Sequence, residues 1–384
     1  MTDSELLDTR IWIDGCFDFA HHGHAGAMLQ ARQHGDELYV GVHSDEDILY
    51  NKGPVVMKLQ ERLIAVEGCR WCTKVIPNAP YVTDPQVLND YHCKFVVHGD
   101  DITTDANGFD CYQTMKDLGR FIVVKRTPNI STTDLVGRML TYSKQHHLQS
   151  LKSTNLQNHQ LLNDESLVKF KSYSTSSDGL SDGVAVFYYT SDDGKLHELI
   201  KPNEKQWNRS PNIYFIDGGF DLFNPGHITA LRNLKSKASQ TNSLILVGLN
   251  DDLEVNLNKG LNYPIMNLFE RSLCVLQSKY IDGIIIGSPY KPTLNFLNLI
   301  PNKTIIKVFH GPTDEVNDPY TEIKQHDGLF EQLENHPFSN ITTEVIVKRV
   351  LDNRLEYEER QKRKGWKSEH EKLLEANEKL KDEE

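Results

Sequence analysis

The stretch IDGCFDFAHHGHAGAM, residues 13–28, returns at residues 216–231 as IDGGFDLFNPGHITAL, shifted by 203 positions. Further pairs follow in the same order. Asn51-Lys52-Gly53 reappears as Asn258-Lys259-Gly260, Glu61-Arg62 as Glu270-Arg271, and Thr132-Thr133 as Thr342-Thr343. Their separations drift only from 207 to 210. Four ordered matches describe a tandem duplication, with a period far too long for a solenoid. The chain of 384 residues must therefore fold as two copies of one domain. The expected division is 1–145 for the first copy, 146–209 for a partly ordered linker, 210–355 for the second copy and 356–384 for a charged helical tail. The linker reading rests on a Ser-, Asn-, Asp- and Lys-rich segment interrupted by one strand-like run, VAVFYYT. The tail reads as a solvated helix or a frayed end.

Within each copy, short β-branched runs alternate with helix-period segments. In the first, TRIWIDGCF, ELYVGVHS, TKVIPNA, KFVVHG and FIVVKR read as strands. Helices are expected near 24–35, 58–69, 84–91 and 111–118, and from STTDLVGR onward. Strands without polar alternation, separated by helices, predict an α/β fold with a parallel sheet of about five strands and helices on both faces. No apolar run is long enough for a membrane span. The N-terminus lacks the order of a signal peptide. Six irregularly spaced cysteines fit a reducing, cytoplasmic setting. Cys69 and Cys72, with no second pair, read as core residues. A formal charge of −12 argues against general nucleic-acid binding and requires any anion site to be locally built.

Such a site is expected where the strand IWID ends and a helix begins near His24. Helix N-termini present free N–H groups and a partial positive charge. Gly23 lets a phosphate approach the backbone. His21 and His24, three apart across the turn, can aim at one point, and two imidazoles donating to one phosphate would stabilise developing charge. His22 reads as a solvated surface residue. Metal binding by the histidines is the competing reading, but no third ligand is evident.

The set GCFDFAHHGH, NKGPVVM, ERLIAV, NAPYVTD, HGDDIT and RTPNISTTDLVGR strongly resembles the cytidylyltransferase family, whose HxGH and RTxGISTT motifs flank the active site. The resemblance implies two tandem Rossmann-like nucleotidyltransferase domains. It implies in-line displacement at the α-phosphorus of CTP without a covalent intermediate, and Mg²⁺ carried mainly by the CTP phosphates. The tandem arrangement points to phosphoethanolamine as acceptor and CDP-ethanolamine as product. Phosphocholine or glycerol 3-phosphate is the alternative acceptor, and a non-catalytic nucleotide sensor or scaffold is the alternative of another class. CTP and phosphoethanolamine are the implied partners, and homodimerisation is left open.

Residue by residue, His21, His24, Lys52 and Arg126 are the expected catalytic groups. Gly15, Phe17, Gly23, Arg62, Asn129, Ile130, Ser131, Thr132 and Thr133 are the expected nucleotide-binding positions. Asp14, Tyr81 and Tyr112 are the expected acceptor-binding residues, a carboxylate and aromatics suiting an ammonium. Simpler readings stand beside these: a surface lysine for Lys52, a helix-face ion pair for Arg62, core packing for each tyrosine. Asp18 reads as structural. Asn129 occupies the family's glycine position, and since Asn tolerates positive φ the turn is expected to survive.

The second copy departs from the motif. Asn224 replaces the first histidine, while Gly226 and His227 remain, and NHPFSNI before Thr342 contains no counterpart of Arg126. Lys259 and Arg271 are retained. Chemistry is expected in the first copy. The second is expected to be non-catalytic, serving structure, weak nucleotide binding or regulation.

Overall fold

A computed structural model describes residues 5–360, together with 362, 365 and 371. It divides into two compact units, 1–140 with 346–384, and 141–345.

The first unit holds five strands: β1 (Leu7–Gly15), β2 (Glu37–His43), β3 (Lys74–Ala79), β4 (Cys93–Gly99) and β5 (Phe121–Val124). All pairings are parallel, in the order β3-β2-β1-β4-β5. The central strands are the buried ones: β2 is buried at every position after Glu37, whereas the edge strand β5 is buried only at Val124. β1 lies centrally, and the chain leaves it to β2 on one side and β4 on the other. Ligands of such sheets sit at that switch, beyond the carboxyl ends of the strands.

The second unit holds β6 (Ala185–Thr190), β7 (Lys195–Ile200), β8 (Asn212–Gly218), β9 (Leu244–Leu249), β10 (Gly283–Ile286), β11 (Thr304–His310) and β12 (Phe330–Gln332), in the order β12-β11-β8-β9-β10-β6-β7. Its five-strand part β10-β9-β8-β11-β12 repeats the first sheet strand for strand. The repeat reaches single residues. Asp14 pairs in register with Gly41, and Asp217 with Gly248. Positive φ recurs at Phe17 and Phe19 (52° and 48°) and at Phe220 and Leu222 (49° and 45°). Four left-handed non-glycine residues at matching turns are strain the fold keeps twice, as functional turns do.

Two expectations need correction. The segment 146–209 is not a linker. It contributes the helix Asp164–Tyr173 and strands β6 and β7 to the second unit, with β6 parallel to β10 and β7 antiparallel to β6. Its polar composition misled because β7 is an edge strand and only half-buried. The tail is not a free solvated helix either. Residues 354–360 are helical, Tyr357 is buried, and its hydroxyl donates to the Val55 carbonyl at 2.9 Å. Most of the predicted tail, beyond 360, lies outside the described residues. Among the described residues no helix is long and apolar enough to cross a membrane.

Candidate active site

The turn after β1 delivers His21 to the N-cap of the helix His22–Arg32. His21 Nδ1 accepts the Gly23 N–H at 3.1 Å, which fixes the imidazole proton on Nε2. His24 stacks on His21 with ring centroids 3.9 Å apart, and Phe17 packs edge-on against His24 at 5.5 Å. A Cβ on Gly23 would stand 2.9 Å from the rings of His21 and from Ile130, so only glycine closes this turn. His22 is buried, contrary to the surface position expected for it. The helix starts two residues earlier than predicted, and this turns His22 inward.

Burial lowers the pKa of His24 to about 4, and nearby Lys52 and Arg126 push the same way. His24 is therefore a neutral imidazole, although a hydrogen bond with the Phe19 backbone opposes the shift. Lys52 ends the helix Asp45–Asn51 as its C-cap and lies 5.6 Å over the ring of Tyr81. Arg126 is held at the sheet edge. Its backbone N–H donates to Asp100 at 3.1 Å and its guanidinium to Asp101 at 3.2 Å. The HGDD segment thus positions Arg126, a pairing that strand-end topology hinted at without naming the partner.

The RTPNISTT turn takes the expected shape. Asn129 has φ 63°, and Ile130 is buried against Gly23. The Ser131 hydroxyl accepts from the Asp134 N–H at 3.1 Å, capping the helix Thr132–Thr141, while Thr132 donates to the Asp18 carbonyl at 2.8 Å. Thr133 is half-buried on the first turn of that helix. Asp18 is structural, as expected. Its carboxylate accepts the N–H groups of Val56 and Met57, tying the loop after Lys52 to the histidine turn. Arg360 reaches the same loop from the C-terminal helix, donating to the Asp18 carboxylate and the Pro54 carbonyl. Nothing in the sequence pattern signalled this partner, 342 residues away.

Arg62 lies beneath the site. Fully buried, it donates to the carbonyls of Met57, Cys16 and His43 and to the Asp45 carboxylate. These bonds brace the loops around the histidine turn from below. Gly15 packs against the Phe17 ring, where an added Cβ would stand 3.3 Å from it.

At the other end Asp14 is buried and accepts three hydrogen bonds: from Trp12 Nε1 at 2.8 Å, Thr83 at 2.9 Å and Tyr112 at 2.6 Å. Tyr81 and Tyr112 are both buried and pack in the core cluster around Trp12. His43 escaped the sequence reading, whereas His98 opens the HGDD segment, which strand-end topology places on the ligand side with its job left open. His43 ends β2 and packs 5.1 Å from Tyr81, and His98 lies in β4, 4.5 Å from Tyr112. Burial lowers the pKa of both, against the raising effect of nearby carboxylates. Their positions at the carboxyl ends of strands flanking β1 were the available signal. Cys69 and Cys72 are buried core residues as expected.

The second turn is built on the same frame with different ends. Asn224 Oδ1 accepts both Gly226 and His227 N–H groups, at 2.9 and 3.4 Å, and His227 Nδ1 accepts the Asn224 N–H at 3.3 Å. The turn is closed on itself. Burial lowers the pKa of His227 to about 3. Arg271 repeats Arg62 atom for atom, donating to Met266, Gly219 and Asn250 carbonyls and to Asp252. Thr343 donates to the Asp221 carbonyl as Thr132 does to that of Asp18. The helices therefore align Thr132 with Thr343, one residue off the Thr132–Thr342 match expected from sequence. Thr342 corresponds to Ser131, its hydroxyl accepting the Val345 N–H. Glu344 then stands where the first copy has Thr133, and it pairs with Lys259 at 2.6 Å.

The cytidylyltransferase-like family model matches residues 12–138 and again 215–346. The chain is 39% identical over 377 residues to ethanolamine-phosphate cytidylyltransferase of Mus musculus, covering 93% of this chain and 89% of that protein. It is 39% identical over 370 residues to the protein of that name in Dictyostelium discoideum, covering 95% and 97%. Similarity to choline-phosphate cytidylyltransferase A of Mus musculus is 40% over 133 residues, covering 34% and 36%.

Proposed function

The chain belongs to the cytidylyltransferase-like family, and from that premise we infer that it transfers the cytidylyl group of CTP to phosphoethanolamine, releasing pyrophosphate, in the route to phosphatidylethanolamine. The relatives matched over nearly the whole chain bear the ethanolamine name, whereas the choline relative matches about a third. That contrast favours phosphoethanolamine over phosphocholine.

The chemistry belongs to the first copy. A phosphate oxygen of phosphoethanolamine attacks the α-phosphorus of CTP. The new P–O bond forms as the bond to the bridging oxygen breaks, and pyrophosphate leaves with its electron pair. His21, protonated on Nε2, and neutral His24 donate to the transferring phosphoryl group rather than shuttling protons. Lys52 and Arg126 balance the charge that moves onto the leaving pyrophosphate. The cap of Ser131 and the helix start beside it receive the remaining phosphate oxygens. Asp14, braced by three donors, and the rings of Tyr81 and Tyr112 form the ammonium end. The observation that carries this reading is the stacked His21–His24 pair beside Lys52 and Arg126, cations and imidazoles gathered at one helix start in a chain of net charge −12.

Among the described residues no group of three or more His, Cys, Asp or Glu could hold a metal ion. The phosphate end is lined by imidazoles and cations, a donor set that does not fit a protein-held Mg²⁺. Mg²⁺ enters as the counterion of the triphosphate. None of the six cysteines, all among the described residues, is in a disulfide, which supports a cytoplasmic setting.

The test is pyrophosphate release with CTP and Mg²⁺, offering phosphoethanolamine, phosphocholine and glycerol 3-phosphate in parallel. Preference for phosphoethanolamine is expected. Preference for another acceptor would overturn the substrate, and no turnover in a folded protein that still binds CTP would turn the reading to a nucleotide sensor.

A further inference from the structure

The second copy holds a cavity of about 460 Å³ at the carboxyl ends of its strands. Its lining includes Asp217, His227, Lys259, Tyr290, Tyr320 and Glu344. The phosphate end of this cavity is shut electrically. Lys259 is neutralised by Glu344 at 2.6 Å. The N–H groups of Gly226 and His227 are consumed by the Asn224 side chain. A Cβ on Gly226 would stand 2.7 Å from the Ile341 carbonyl oxygen and 3.0 Å from that of Phe338, so acceptors now crowd the helix start. An incoming triphosphate would meet the Glu344 carboxylate where the first copy has Thr133, and would find no counterpart of Arg126.

The opposite end has changed the other way. Asp217, the counterpart of Asp14, accepts one side-chain hydrogen bond, from the Tyr320 hydroxyl at 2.6 Å. The other two donors of the first copy are gone: Phe215 stands at the position of Trp12, and Pro292 at that of Thr83. Asp217 is only 6% exposed. A buried carboxylate with spare lone pairs lining a cavity wants a donor, and a cationic one best offsets its desolvation. Tyr290 and Tyr320 add aromatic walls of the kind that hold an ammonium.

We propose that the cavity of the second copy binds a small primary ammonium compound at Asp217, Tyr290 and Tyr320, and does not bind the nucleotide triphosphate. The duplication has split one binding site: the first copy keeps both the anion and the ammonium ends, the second only the ammonium end. This rests on the reading that the first copy reacts with phosphoethanolamine, whose ammonium is the shared chemical feature. With Lys259 neutralised, ethanolamine itself fits better than its phosphate ester.

The experiment is a calorimetric titration of the full chain with ethanolamine, phosphoethanolamine, choline and CTP, alongside turnover with CTP and phosphoethanolamine. Ethanolamine is expected to bind, choline to bind at least tenfold more weakly for lack of N–H donors, and CTP to bind once per chain. Asp217→Asn should weaken ethanolamine at least tenfold. Tyr320→Phe, a gentler change that keeps the ring, should weaken it in the same direction. Both variants should keep CTP stoichiometry and turnover at saturating phosphoethanolamine. Phosphoethanolamine binding twice per chain, with the second event lost in Asp217→Asn, would support the site with the ester as its ligand. The proposal is overturned if both variants bind every amine as the parent does, if choline matches ethanolamine, if no amine binds outside the first copy, or if CTP binds twice per chain. Failure of turnover in the parent would instead strike the reading of the first copy, which the binding data do not decide.

Discussion

His21 and Asn224 occupy the same place in two copies of one turn, and they do half of the same job. Each caps its helix through a side-chain acceptor, His21 for Gly23 and Asn224 for Gly226 and His227. Both keep an N–H after capping, His21 at Nε2 and Asn224 at Nδ2, but only the imidazole can also take up a proton and carry charge. Fold and chemistry can therefore be separated at one residue. Arg62 and Arg271 show the complementary case. Their hydrogen-bond sets are the same in both copies, so they serve the frame that both copies need.

The largest effect expected from probing this comparison is on stability, and it should appear on both sides, larger in the second copy, where the paired carboxylate is fully buried. Arg62→Ala and Arg271→Ala each strand several carbonyls, and Arg271→Ala also strands the fully buried Asp252 carboxylate, whereas Asp45 beside Arg62 is partly exposed. Losses of this kind run to about 3–5 kcal/mol, read as a lower denaturation midpoint of the altered unit. If Arg62→Ala instead left stability intact and only weakened CTP binding, the shared-frame argument would fail.

The next effect should be unequal. Lys52→Met is expected to slow pyrophosphate release by about 10²–10³, the usual size for a lost charge-stabilising contact. Lys259→Met should leave turnover unchanged, because that ammonium is already paired with Glu344. Smaller still, Asn224→Ala removes a cap and should cost about 1 kcal/mol of stability with no change in rate. A matching drop in rate would show that the second turn takes part in catalysis.

Titration sharpens the contrast with the least change. His24 and His227 are held neutral by burial, with pKa values lowered to about 4 and about 3. The unfolded chain takes up protons below pH about 6.5 that these sites refuse. Stability should thus fall in both units as pH drops through that range, and His227→Ala should flatten the slope of the second. Asp217 runs oppositely. Burial raises its pKa to about 7, so the native state holds a proton that the unfolded chain releases above about 4. Stability should decline as pH rises between those values, and Asp217→Asn should remove that decline. Denaturant midpoints at pH 5 and pH 7 measure both signs.

Much of this was legible in the sequence, and what was not has physical reasons. The repeat, the central strands and the positive φ at Asn129 follow from periodicity and residue type. The turn residues His21, Gly23 and His24 follow from their place between a strand and a helix. The segment 146–209 was misread because edge strands carry polar residues. His43 was missed because a single histidine in an apolar run looks like packing, while for His98 the strand-end position gave the side of the sheet but not the partner. The role of Glu344 was hidden by a one-residue offset, since matching Thr132-Thr133 to Thr342-Thr343 by letter hides that Thr343 makes the bond Thr132 makes. Asp101 and Arg360 became partners of site residues only through the fold, as contacts distant in sequence do.

The central claim is that one copy reacts and the other does not. Its most direct test is the rate of pyrophosphate release from CTP and phosphoethanolamine in the full chain carrying His24→Ala or His227→Ala, each checked for native folding. The account predicts a loss of about 10²–10³ for His24→Ala and retention of most activity for His227→Ala. Comparable losses from the two substitutions would contradict it.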